Sequence, residues 1–128
     1  MRKLISFCLF FFCIAGLQAA INIKRIDPAF WWCGMKNKEL QIMVYGDKIG
    51  DAKASLKYPG VTLEKTVRLD SPNYLFVDVE VKPDAEPGTY YLVFSQGERQ
   101  FKVPYEIAAR AEGSAARKSF TTADMIYL

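Results

Sequence analysis

The chain has 128 residues, 17 basic and 14 acidic side chains, three cysteines and no histidine. That is room for one domain, and its near-balanced charge lacks the clustered Lys and Arg that phosphate backbones require. The missing histidine removes the commonest general base, the usual Ser/His and Cys/His nucleophile pairs and the commonest metal ligand.

In chain order, Met1-Arg2-Lys3 is a basic start and Leu4 to Ala15 an apolar run, closing on Gly16-Leu17-Gln18-Ala19-Ala20. The run is shorter than the ~20 residues of a spanning helix and ends on small residues, which predicts a signal peptide over 1–19, cleaved after Ala19 or Ala20. Cys8 and Cys13 both follow Phe inside the run, so no lipid-anchor site is expected, and no membrane segment after cleavage. With Arg2 and Lys3 removed, 15 basic residues face 14 acidic ones, a net charge of +1. Cys33 would then be the only cysteine, so the core must hold the exported fold without an internal disulfide.

From Ile21 onward, short β-prone runs alternate with turn residues, and no stretch keeps a helical period for three turns. Leu75 to Val81 is the clearest strand: Leu75, Val77, Val79 and Val81 face one way and Phe76, Asp78 and Glu80 the other. Val61 to Leu69 puts Val61, Leu63, Val67 and Leu69 on one face, with Lys65 breaking the apolar set at what reads as an edge. Leu40, Ile42 and Val44 alternate with Gln41, Met43 and Tyr45. Tyr90 to Phe94 is apolar on both faces, as a strand covered on both sides would be. Ile21 to Ile26, Ala52 to Tyr58 and Phe101 to Ile107 are weaker strands. Turns fall at Gly46 to Asp51, Tyr58-Pro59-Gly60, Asp70 to Asn73, Pro83 to Gly88 and Ser95 to Glu98.

About seven strands at this spacing predict an all-β, immunoglobulin-like sandwich over residues 20–107. Residues 108–123 are small and charged, a linker. Residues 124–128, Asp124-Met125-Ile126-Tyr127-Leu128, turn apolar again and read as the start of another domain.

No chemical constellation emerges: Asp78 and Glu80 lie on the polar face of a strand, Asp84 and Glu86 in a turn, and all four read as solvated. Phosphate-cradling glycines, zinc spacings and calcium loops are absent, so no cofactor, metal site or catalytic residue is expected. Cys33, with only Lys36 nearby to lower its pKa, reads as a small buried apolar residue.

The concentrated feature is Asp27-Pro28-Ala29-Phe30-Trp31-Trp32-Cys33-Gly34-Met35, three adjacent aromatics placed on a loop between two strands. Adjacent Trp side chains in extended backbone point to opposite faces, so one can plug the core while the other stays at the surface and stacks on the C–H face of a sugar. Two readings therefore stand for Trp31 and Trp32: both as core plugs, or at least one as a carbohydrate or partner contact. Tyr74 poses the same question.

The run Trp31 to Gly46, continued by Asn73-Tyr74-Leu75-Phe76-Val77 and Pro87-Gly88-Thr89-Tyr90, resembles the N-terminal domain of cyclomaltodextrinase- and neopullulanase-type enzymes, in glycoside hydrolase family 13 of the α-amylase superfamily. Asp124 to Leu128 is similar to that superfamily's first barrel strand. The resemblance implies a sandwich packed against a catalytic (β/α)₈ barrel in enzymes acting on cyclodextrins, pullulan or maltodextrins, helping dimerisation or framing the cleft. The catalytic carboxylates would come from the barrel, so this chain is not expected to be an enzyme by itself. An exported member is expected in the periplasm, its partners being the barrel, α-glucan or a second copy. A free-standing α-glucan-binding module is the alternative.

Overall fold

The computed structural model describes residues 22–119 and 122. The predicted signal peptide and segment 124–128 lie outside the described residues. The strands are β1 (Ile23–Asp27), β2 (Phe30–Trp32), β3 (Glu39–Gly46), β4 (Lys53–Ser55), β5 (Val61–Arg68), β6 (Tyr74–Val81), β7 (Gly88–Gln96) and β8 (Arg99–Ala108), with short 3₁₀ turns at Ile49–Asp51 and Ser114–Ala116.

Alternation drives the layering. In β6, Leu75, Val77, Val79 and Val81 are buried while Tyr74, Phe76, Asp78 and Glu80 stand on the outer face. Cross-strand partners share a face, so β3 contributes Leu40, Ile42 and Val44 to the same inner layer. The opposing layer comes from Tyr90, Leu92 and Phe94 of β7 and Tyr105 and Ile107 of β8.

Two four-stranded sheets result, ordered β1-β3-β6-β5 and β2-β8-β7-β4. These orders are A-B-E-D and C-F-G of an immunoglobulin-type sandwich, with β2 added beside β8. The chain is an all-β sandwich. Eight strands stand where turn residues mark about seven, because the aromatic run is itself a strand. It lacks a turn signal separating it from β1 other than Pro28, whose bond to Asp27 is cis.

Three expectations shift. In β5 a bulge falls between Leu63, opposite Val79, and Lys65, opposite Asp78. The extra residue inverts the alternation, so Val67 joins Phe76 on the outer face while Thr66 and Arg68 take the register of Val77 and Leu75 yet stay exposed at the sheet border, the reverse of the simple period-two reading. In β7 the outer face is open, not covered, with Tyr91 54% exposed. The Ser95 to Glu98 turn is tighter than its polar residues suggest: Gln96 pairs with Arg99, and Gly97 takes φ +59° in a two-residue hairpin loop. At the Tyr58-Pro59-Gly60 turn, Gly60 has φ +81°, and a Cβ there would lie 2.8 Å from Ala85 Cα.

Three tyrosines are stacked in series, Tyr58 on Tyr90 at 5.7 Å and Tyr90 on Tyr105 at 5.4 Å between ring centroids. The Tyr105 hydroxyl donates to Pro28 O at 2.9 Å, tying β8 to the crossover between β1 and β2. The buried Tyr90 hydroxyl has no hydrogen-bond partner among the described residues. Burial raises both hydroxyls well above the usual tyrosine pKa, and for Tyr90 the neighbouring Tyr105 adds to it.

This arrangement predicts opposite responses to the loss of a hydroxyl. Tyr105→Phe should lower unfolding free energy by about 1 kcal/mol, whereas Tyr90→Phe should leave it unchanged or raise it, both measured by urea denaturation at neutral pH. Because the folded pKa values lie above the unfolded value of about 10, stability is full below that pH and falls as pH rises beyond it. Each Phe variant should flatten that alkaline decline.

Candidate functional site

The parallel register of β2 on β8 pairs Phe30 with Glu106, Trp31 with Ile107 and Trp32 with Ala108. Ile107 is buried, so Trp31 faces inward and packs against the core, while Phe30 and Trp32 point outward. The aromatic run is thus a strand rather than the loop expected of it, and it divides its tryptophans between core and surface. Trp32 is 37% and Phe30 39% exposed, and their rings meet edge to face at 4.9 Å.

Beyond β2 the backbone stays tied to β8. Cys33 N–H donates to Ala108 O at 3.0 Å and the Cys33 thiol to the same oxygen at 3.3 Å. The Cys33 side chain is half-buried against the core, with a hydrogen-bonding role that the apolar reading omits. Gly34 then turns with φ +70°, and its carbonyl accepts from the Arg110 guanidinium at 3.1 Å. The segment after β8 is held back against the Trp32–Met35 turn by these contacts. Between them lies a cleft of about 250 Å³ lined by Trp32, Met35, Arg110, Ala111, Ser114 and Arg117. Among the described residues its lining carries two guanidinium groups and no carboxylate.

On the same outer face of the second sheet, Tyr91 stands opposite Pro104. Phe30, Trp32 and Tyr91 therefore share one face, with Leu69 elsewhere the remaining exposed large apolar side chain among the described residues.

Tyr74 is not part of this site. It lies on the outer face of the first sheet, opposite Tyr45, with ring centroids 4.9 Å apart and planes 34° apart. Lys24 sits 5.8 Å from the Tyr45 ring centroid and pairs with Asp47 at 2.8 Å. The two outer faces point in opposite directions, so one ligand cannot bridge Trp32 and Tyr74.

A larger, open depression of about 620 Å³ lies on that first sheet, bordered by Asn37, Glu39, Gln41, Glu64, Lys65, Asp78 and Glu80. Asp78 accepts from Gln41 at 2.8 Å and meets Lys65 at 3.6 Å, so it is engaged in cross-strand pairing. Among the described residues no group of His, Cys, Asp and Glu could hold a metal ion.

The geometry accounts for β1 through the tied segment after β8, and residues 25–111 match the family model described as cyclomaltodextrinase, N-terminal. This chain belongs to the cyclomaltodextrinase N-terminal domain family. The matched span contains the Trp31–Met35 turn, all eight strands apart from the first two residues of β1, and Arg110. A cyclomaltodextrinase N-terminal domain is an accessory, non-catalytic unit of a family 13 type of enzyme. Tyr91, Met35, Arg110 and Arg117 were not picked out among the sequence candidates. The alternation of β7 could have exposed Tyr91, but nothing local in Ala108 to Ser119 signals that two of its arginines meet a turn some 75 positions earlier, Arg110 to Gly34 being separated by 76.

If Arg110 holds the segment after β8, Arg110→Ala should remove about 1 kcal/mol of local stability. Amide exchange at Ser114, Ala116 and Arg117 should then quicken about fivefold, with β6 and β7 unchanged. Equal exchange in both proteins would assign the ordering to other contacts.

Proposed function

We propose that this chain is the non-catalytic accessory domain of an exported, periplasmic enzyme that degrades α-glucans such as cyclodextrins, pullulan or maltodextrins. It offers the outer face of its second sheet to the catalytic (β/α)₈ unit and so supports dimerisation or the shaping of the substrate cleft. The observation that carries this reading is the gathering of Phe30, Trp32 and Tyr91 on one outer face. Sandwiches of this size seldom leave such aromatics together without a partner. Family membership supports the enzyme class.

A second reading, an α-glucan-binding module that acts without a barrel, is favoured by the half-exposed Trp32 beside a polar cleft. The two differ in the size of the native product. An immunoblot of periplasmic fractions with an antibody to residues 22–107 should show a band enlarged by a barrel of about 250 residues. A band of the sandwich alone would select the binding module, and a band confined to the cytoplasm would remove export.

Purified alone, the chain should release no maltose from cyclodextrin, pullulan or maltodextrin in a reducing-sugar assay. Hydrolysis that co-purifies with the domain and is lost on substitution of one of its own carboxylates, such as Asp78→Asn, would overturn the accessory reading.

A further inference from the structure

We propose that the outer face of the first sheet docks a segment of a basic protein partner, one that joins apolar side chains to a Lys or Arg, whatever covers the second sheet. Cross-strand register lays this face out in rows. Met43, Phe76 and Val67 form one row across β3, β6 and β5, and Tyr45 with Tyr74 begins the next. All five side chains are half-buried, yet none is among those packed on the core. Their partial cover comes from one another on the outside of the sandwich, and the bulge in β5 is what turns Val67 to this side.

The charges beyond the apolar row fix what the partner must carry. Further along β6, Glu39 stands directly opposite Glu80, with Glu64 at the bulge in the neighbouring strand. Like charges facing each other across a ladder destabilise it. The paired cations of this sheet are engaged elsewhere: Lys24 with Asp47, Arg25 with Asp27, Lys65 with Asp78 and Arg68 with Asp51. Among the described residues Glu39, Glu64 and Glu80 form no ion pair, and the depression of about 620 Å³ that they line holds a single cation, Lys65. A Lys or Arg delivered there relieves a repulsion that the free chain carries. Phe76 and Glu80 lie four residues apart, about 13 Å at ~3.3 Å each, which sets the distance between the partner's apolar anchor and its cation. From Tyr74 to Glu80 the face runs about 20 Å along β6 and about 10 Å across three strands, far less than the ~800 Å² per partner of a stable dimer. A second copy would also bring its own three unpaired glutamates to the contact, so the occupant is one segment of a different chain.

The test titrates the isotope-labelled, purified chain with short synthetic peptides that share an alternating Leu-Thr core and end in Arg-Arg, Gln-Gln or Glu-Glu. The Arg-ended peptide should shift backbone amides of β3, β5 and β6 and leave β7 and β8 in place. The Gln-ended peptide should bind about fivefold and the Glu-ended one about tenfold more weakly, a difference that narrows in high salt. Phe76→Ser should weaken the Arg-ended peptide about tenfold. Glu80→Gln keeps the test open if Phe76→Ser disturbs folding, because its two effects run in opposite directions. It should raise the midpoint of thermal unfolding by about 2 °C, as repulsion from Glu39 is lost, and weaken the Arg-ended peptide about threefold. A lowered midpoint or unchanged binding in Glu80→Gln would overturn the docking surface. So would equal binding of the three peptides, shifts confined to β7 and β8, the same shifts with magnesium chloride alone, or no shift with any peptide.

Discussion

The parallel pairing of three residues, Phe30 to Trp32, with the end of β8 is the constraint on which the rest of the molecule hangs. The first strand of the sandwich begins in one sheet, and after the Asp27–Pro28 bond its continuation joins the other. Because side chains alternate along that short strand, one tryptophan closes the core and its neighbour is delivered to the surface. A slip by one residue would exchange them, placing Trp31 in water and Trp32 against Ile107. Tyr105 reinforces the register by donating to Pro28 O, so β8 holds the crossover through a side chain as well as through its backbone pairing with β2. The cleft at Trp32 inherits its geometry from this pairing, as does the path of the chain beyond Ala108.

The layered fold was legible because its signal is local. The valines and leucine of β6, the Leu40, Ile42 and Val44 set of β3 and the turn residues between them each announce a period of two within a few residues. The aromatic run left open whether both tryptophans would plug the core or one would stand at the surface, a choice made by its pairing with β8. What stayed hidden depends on partners far away in sequence. The bulge in β5 showed only as a misplaced lysine, since a single inserted residue has no composition of its own and is defined by what lies across the ladder. The open outer face of β7 could not be told from a covered one, because Tyr and Val satisfy both. The cleft was invisible for a stronger reason: Arg110, Ser114 and Arg117 look like solvated linker residues until β8 brings them back beside Trp32.

Trp32 and Tyr74, alike as exposed-aromatic candidates, illustrate how topology sorts equal residues. One sits on each sheet, and a sandwich turns the outer faces of its sheets away from each other. The first sheet's face is knitted in part by its own cross-strand pairs, Tyr45 with Tyr74 and Gln41 with Asp78. On the second sheet's face Phe30 meets Trp32 of its own strand and Tyr91, opposite Pro104, stays 54% exposed.

The extra residue in β5 has a different reach. This strand is the free border of the first sheet, where a flat row of unpaired amides and carbonyls would invite strands from other molecules. The bulge bends that border and interrupts its ladder, and Lys65 projects a charge beside the break. Cys33 is unpaired, so among the described residues no disulfide helps to hold this border. One displaced residue makes that border a poor template for a further strand.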